Sequence, residues 1–93
     1  MAVSQEVEVQ HVLGLHARPA ATFVKVASTF TSRITIENTD KNAKTFNAKS
    51  IMSVMLAGVR KNHHIMIVAD GEDEQEALDA LVALVNDNFG EAE

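Results

Sequence analysis

The single proline of the chain, Pro19, constrains the local structure more than any other residue. A proline lacks the amide hydrogen, and it is tolerated in the first turn of a helix because that amide would have no partner there. It lies in the run Gly14-Leu15-His16-Ala17-Arg18-Pro19-Ala20-Ala21. The run predicts a glycine turn followed by the start of a helix, with His16 and Arg18 beside the helix N-terminus.

The start of this helix predicts a site for an anion. The first-turn amides of Ala17 and Arg18 are free to bind a ligand, and the helix dipole favours negative charge there. Arg18 adds a planar fork of donors that matches phosphate oxygens. A free imidazole, with a pKa of about 6.5, is largely an unprotonated nucleophile near neutral pH. We therefore predict that His16 carries a phosphoryl group.

Apolar periodicity along the rest of the chain predicts the element order βαββαβα. Strands are predicted over residues 5–10, 33–37, 43–47 (with Phe46 pointing inward) and 65–69. Helices are predicted from Arg18 to about Phe30, over residues 50–58, and from a capping box formed by Asp73 and Glu76 to the region of Gly90. Because these helices are not apolar all round, we expect them to lie together on one face of an antiparallel sheet, an α+β fold.

The short helix over residues 50–58 has apolar side chains on both faces. Ser50 is expected to cap its N-terminus, and Gly58 to end it. Val54 and Leu56 are assigned to the core. The other apolar residues are assigned to a surface for partner proteins, since methionine suits surfaces that meet several partners: Ile51, Met52 and Met55.

Composition excludes several classes of protein. The net charge of −5 argues against duplex DNA or an anionic membrane surface as partner, and no apolar run approaches the length of a membrane span. The absence of cysteine excludes disulfides and thiolate metal sites and suits a reducing compartment. No export signal is visible, so we expect a cytoplasmic protein with one domain over residues 1–93.

The remaining histidines do not predict a metal site. His63 and His64 are adjacent at a strand entry, where neighbouring side chains point to opposite faces, so they form a poor chelate. His11 lies apart from them in sequence. These histidines are interpreted as turn residues, and no metal or cofactor is expected.

Two segments resemble motifs of one family. Gly14-Leu15-His16-Ala17-Arg18-Pro19-Ala20 is similar to the phosphorylation site of the HPr family, the histidine-containing phosphocarriers of the bacterial phosphoenolpyruvate-dependent sugar phosphotransferase system. Asn47-Ala48-Lys49-Ser50-Ile51-Met52-Ser53-Val54-Met55 is similar to its regulatory serine segment. Gly71-Glu72-Asp73-Glu74 is similar to its entry into the final helix. The resemblance spans roughly Ser4 to Phe89.

The resemblance implies an open-faced β-sandwich in which His16, through Nδ1, accepts phosphate from phosphorylated enzyme I and passes it to IIA proteins or domains. A protein with this role is a substrate in a relay and not a stand-alone enzyme. The resemblance also implies that an HPr kinase/phosphorylase phosphorylates Ser50, that a catabolite-control regulator is a further partner, and that the partner surface includes Lys49. A carrier with one small docking face is expected to be a monomer.

Other readings stay open at this stage. A nitrogen-related phosphocarrier of the NPr type would keep the histidine motif but would serve a regulatory phosphorelay without sugar uptake. The sequence Lys49-Ser50-Ile51-Met52 favours HPr over this alternative. A regulatory protein of the Crh type would lack the active histidine, so His16 argues against it. A non-catalytic binding module, in which His16 is incidental, is the alternative from a different class. Asn62 stands where the family usually has glycine, and asparagine also tolerates a left-handed turn.

Overall fold

The structure, a computed structural model, describes residues 1–41 and 44–91. Its strands are β1 (Val3–Glu8), β2 (Arg33–Asn38), β3 (Thr45–Asn47) and β4 (His64–Asp70). Its helices are α1 (Ala17–Ala27), α2 (Ile51–Leu56) and α3 (Glu74–Asn86), followed by a 3-10 turn over Asn88–Gly90. The predicted order βαββαβα is therefore confirmed, and Ala43, at the start of the predicted third strand, lies outside the described residues.

The strands form one antiparallel sheet in the order β1-β4-β2-β3. The register places Ile36 of β2 opposite Ile67 of β4 on one side and Phe46 of β3 on the other. The helices cover the face that carries the buried isoleucines. This arrangement confirms the predicted α+β fold, a four-stranded antiparallel open-faced β-sandwich with three helices.

The core lies between that face of the sheet and the helices. Its largest side chains with no exposed surface are Phe23 from α1, Leu81 from α3, and Ile36, Ile65 and Ile67 from the sheet. The apolar spacing in α1 and α3 explains why each helix buries one stripe and leaves the opposite stripe to solvent. Phe30 lies beyond the end of α1 and is half-buried.

The predicted capping box at the start of α3 is wrong. Asp73 occupies the N-cap position, but its carboxylate makes no capping bond within the helix. It accepts hydrogen bonds from the Thr31 amide at 2.8 Å, the Ser32 amide at 2.9 Å, and the Ser32 hydroxyl. The Ser32 hydroxyl, followed by the Thr31 amide, lowers the pKa of Asp73 to about 2. The side chain thus ties α3 to the turn before β2.

The prediction that Leu56 belongs to the core is also wrong, because its side chain is 67% exposed. Successive helical residues are about 100° apart, so a residue two positions after the buried Val54 points to nearly the opposite side. Ala57, three positions after Val54, is buried instead. No helix in the described ranges is long and apolar enough to cross a membrane.

Candidate functional site

A tight turn around Gly14 immediately precedes His16. Gly14 adopts a φ of +68°, and its amide donates to the carbonyl of His11 at 2.9 Å. The next amide, of Leu15, donates to the carbonyl of Val59 at 3.0 Å, and the Leu15 side chain is buried. These contacts fix the residue immediately before His16 to the loop that precedes β4.

His16 is the N-cap residue of α1. Its backbone is extended, with φ −89° and ψ −167°, and its side chain makes no capping hydrogen bond. The first intrahelical bond runs from the Ala20 amide to the His16 carbonyl at 2.9 Å. The amides of Ala17 and Arg18 precede that bond, and amides at these positions have no partner within a helix. The structure therefore brings together the imidazole and the two amides that the sequence predicted at one helix start.

The two nitrogens of the His16 ring have different surroundings. Nε2 is buried and has no hydrogen-bond partner among the described residues. A neutral imidazole carries its proton on one nitrogen and a lone pair on the other. With Nε2 shielded, we expect a group that arrives from outside to meet the ring at Nδ1.

Arg18 forms an ion pair that sequence reasoning missed. Its Nη2 lies 2.9 Å from Oε1 of Glu91, and the same oxygen lies 2.9 Å from Nε2 of His11. The hydrogen bond from His11, followed by that from Arg18, lowers the pKa of Glu91 below its usual range. His11 was interpreted only as a turn residue, but its ring centroid is 5.5 Å from that of His16.

An exposed apolar surface lies next to this site. It comprises Ile51, Met52, Met55 and Leu56 of α2, which line one groove. Their exposed fractions range from 44% for Ile51 and Met55 to 74% for Met52. A second, shallow groove is lined by His16 and Met55 together with Leu13 and Arg60, so the histidine and the apolar surface are continuous.

Leu13 and Arg60 in this second groove are further residues that sequence reasoning missed. Leu13 is 61% exposed, and Arg60 is exposed as well. Leu13 carried no usable signal in the sequence, because a single exposed apolar residue is ordinary on a protein surface. Arg60 carried no such signal, since its proximity to His16 depends on how the loop before β4 packs against Gly14.

Ser50 caps α2 as predicted, with its hydroxyl oxygen accepting from the Ser53 amide at 3.3 Å. Lys49, predicted to lie in the partner surface, is half-buried, and its Nζ donates to the Phe30 carbonyl at 2.6 Å. The Lys49 ammonium therefore joins the segment before α2 to the chain after α1. A role of Lys49 in docking stays a prediction.

His63 and His64 make separate contacts. His63 Nδ1 accepts from the backbone amide of Arg60 at 3.1 Å and lies 3.2 Å from the side-chain nitrogen Nδ2 of Asn38. His64 is the first residue of β4, and its Nδ1 lies 2.8 Å from Oδ2 of Asp40. The hydrogen bond to Asp40 raises the pKa of His64. Within residues 1–41 and 44–91, no group of three metal-binding side chains is placed to hold an ion.

Asn62 takes the left-handed conformation expected of it, with φ 71°.

Comparison with known proteins connects this geometry to one family. The family model described as "PTS HPr component phosphorylation site" matches residues 3–87. The chain is 48% identical over 85 residues to the HPr-like protein Crh of Bacillus subtilis (strain 168), covering 91% of this chain and 96% of that protein. It is 41% identical over 91 residues to phosphocarrier protein HPr of Neisseria meningitidis serogroup A, covering 98% and 99%.

Solved structures agree with the sequence comparisons. The crystal structure of HPr-C-His from Thermoanaerobacter tengcongensis superimposes with a TM-score of 0.91 at 45% sequence identity. The superposition covers 98% of this chain and 99% of that one. The likeness thus includes every strand and helix around His16.

Proposed function

The chain belongs to the HPr family of phosphocarriers of the phosphotransferase system, and we propose that it accepts a phosphoryl group on His16 from phosphorylated enzyme I and passes it to IIA proteins or domains. One observation carries the proposal. His16 occupies the N-cap of α1, its Nε2 is shielded, and the helix-start amides of Ala17 and Arg18 lie beside it. A developing phosphate at Nδ1 meets the end of the helix that favours negative charge.

The transfer needs positioning more than covalent help. The lone pair of His16 Nδ1 attacks phosphorus while the bond from phosphorus to the donor atom of enzyme I breaks. The ring proton stays on Nε2, which has no acceptor beside it in the described part of the chain. A ring that carries both a proton and a phosphoryl group is a good leaving group, so the onward transfer to a IIA protein repeats the same exchange in the opposite sense.

Incubation with radiolabelled phosphoenolpyruvate and enzyme I tests the proposal. We expect one acid-labile, base-stable phosphate per molecule, absent from His16→Ala. His64→Ala is the matched control, because it removes a half-exposed histidine outside the site, and it should be labelled like the wild type. Failure of the wild type to become labelled by several active enzyme I proteins would exclude the carrier function.

The proposal includes docking of these partners on the apolar surface formed by Ile51, Met52, Met55 and Leu56. The surface is exposed and shares Met55 with the groove that contains His16. Methionine-rich apolar surfaces commonly bind several partner proteins, because the flexible thioether side chain adapts to each. A monomer is proposed, since a carrier that meets each partner through this single face needs no second copy, and sedimentation equilibrium measures the mass directly.

The proposal also includes phosphorylation of Ser50 by an HPr kinase/phosphorylase, and recognition of that form by a catabolite-control regulator. Ser50 begins α2, where a phosphate would meet a helix N-terminus, so the modification is compatible with the fold. It would add negative charge at the edge of the apolar surface and weaken the approach of enzyme I. Treatment with the purified kinase and ATP, with Ser50→Ala as control, tests the modification.

The proposal further assigns the protein to the sugar-transporting phosphotransferase system and to the cytoplasm. Lys49-Ser50-Ile51-Met52 favours a sugar-system carrier over a nitrogen-related carrier of the NPr type, and both would be labelled on His16. Offering the phosphorylated protein to IIA proteins of the two systems separates them: we expect transfer to a sugar-specific IIA, whereas transfer only to the nitrogen-related IIA would support the alternative. Cell fractionation tests the location.

A further inference from the structure

A buried second histidine lies directly behind the proposed phosphoryl site. His11 is 1% exposed, and its ring lies 5.5 Å from that of His16, at an interplanar angle of 55°. The His11 ring also contacts Phe89 edge-on, at a centroid distance of 6.2 Å. His11 is therefore held between the active ring and the segment that follows α3.

The hydrogen bonds of His11 define its tautomer. The amide of Leu13 donates to Nδ1 at 3.1 Å, so Nδ1 carries the lone pair. The proton of the neutral ring is then on Nε2, which donates to Oε1 of Glu91 at 2.9 Å. Both nitrogens of this buried ring therefore have a partner. The partner of Nδ1 is a backbone amide, whereas the partner of Nε2 is the side chain of Glu91.

The Glu91 carboxylate that His11 holds also binds Arg18. Its Oε1 accepts from Arg18 Nη2 at 2.9 Å as well as from His11. Arg18 is 69% exposed, and an exposed ion pair by itself holds its partners only weakly. The bond from buried His11 anchors the carboxylate, and the anchored carboxylate fixes one end of the guanidinium. One oxygen cannot occupy all five guanidinium donors, so donors remain for a phosphate.

We infer that His11 is a positioning residue for this site: its ring packs against His16 and, through Glu91, it locates the Arg18 guanidinium. The inference rests on the proposed function for its catalytic consequence. The placement of Arg18 by His11 is a property of the unphosphorylated protein. It can therefore be measured separately.

Three variants test the inference. His11→Leu removes the donor and puts an apolar side chain of similar size in place of the ring, His11→Gln retains a donor for Glu91, and Glu91→Ala removes the connecting carboxylate while leaving the His11 ring in place. Glu76→Ala is the matched control, because it removes an exposed acidic side chain from α3. Thermal unfolding identifies any variant that does not fold, and His11→Met, which is equally unable to donate to Glu91, replaces His11→Leu if that variant is among them.

The first measurement is the ¹⁵N NMR signal of the Arg18 side chain, with its heteronuclear NOE. We expect an ordered guanidinium in the wild type and in Glu76→Ala, a mobile one in His11→Leu and Glu91→Ala, and recovery in His11→Gln. An Arg18 side chain as ordered in His11→Leu as in the wild type would overturn the inference, whatever the result for Glu91→Ala.

The second measurement is phosphorylation by enzyme I with this protein as the varied substrate. We expect Vmax to fall on the order of tenfold in His11→Leu and Glu91→Ala, with KM unchanged, since misplacement of a positioned group affects the transfer and not the docking. A rise in KM with unchanged Vmax would overturn the positioning role. If the wild type is not labelled at all, the proposed function fails, while the NMR measurement still decides whether His11 locates Arg18.

Discussion

Gly14 packs directly on the carbonyl of Val59, so that a Cβ built at position 14 would lie 2.2 Å from that oxygen and 2.7 Å from Cα of Arg60. This contact brings the loop before β4 to the turn that carries His16. Because both neighbours are backbone atoms, neither can rotate away from an added methyl group. The backbone itself would have to move.

Gly14→Ala should therefore be strongly destabilising. An alanine at positive φ costs about 1 to 2 kcal/mol, and the contact with Val59 adds to this, for an expected loss of at least about 3 kcal/mol in urea unfolding. Gly90→Ala is the matched control, because Gly90 has a similar φ of +75° with nothing within 4 Å of the added Cβ. The backbone contact would be unimportant if the two variants lost equal stability.

The strands and helices could be predicted because their signals are local. Alternation around Ile34 and Ile36, and the spacing of Ala20, Phe23 and Ala27, describe faces that are buried in the structure. Prediction failed where a polar side chain had a choice of partner. Asp73 had suitable amides within its own helix, but amides from a turn 41 and 42 positions away hold its carboxylate instead.

The site could be predicted only in part for the same reason. His16 and Arg18 belong to one short run, so their proximity to the helix start follows from sequence. The bond between His11 and Glu91 joins residues 80 positions apart, and no local pattern indicates it. A histidine that ends up buried also has the same sequence signature as one in an exposed turn.

Asp73 should make stability depend on pH in acid. Its folded pKa of about 2 lies below the ordinary value of 3.8, so its ionised form stabilises the fold above pH 4, and this contribution is lost as the pH falls from about 4 to 2. Asp73→Asn should be less stable than the wild type at neutral pH and should lose less stability across that acid window. Urea unfolding at several pH values measures both effects.

Asp79→Asn is the control for Asp73→Asn, since it removes from α3 a carboxylate that accepts a hydrogen bond from Gln75 on the same helix. Asp79→Asn should lose as much folding stability between pH 4 and 2 as the wild type does. Equal slopes for the wild type and Asp73→Asn between pH 4 and 2 would show that the bonds from Thr31 and Ser32 do not hold this carboxylate ionised.

Ser50→Asp should slow phosphorylation of His16 while leaving the fold intact. Aspartate is also a good N-cap residue, so the thermal midpoint should change little, whereas Ser50→Ala should lose about 1 kcal/mol through the missing cap. The added charge lies beside the apolar surface, so we expect a raised KM for enzyme I. Ser4→Asp, on the opposite edge strand β1, is the charge control. A large loss of stability with unaltered transfer would indicate a purely structural serine.

Met52→Glu should separate docking from transfer. Met52 is the most exposed residue of α2, at 74%, so replacing it should not disturb the core. If partners bury this side chain, a charge there should raise KM for enzyme I on the order of tenfold and leave Vmax and the unfolding midpoint unchanged. Ala83→Glu places the same charge on an exposed position of α3 and should behave like the wild type. Equal KM values for Met52→Glu and Ala83→Glu would mean that enzyme I docks elsewhere, because a general effect of negative charge would move both.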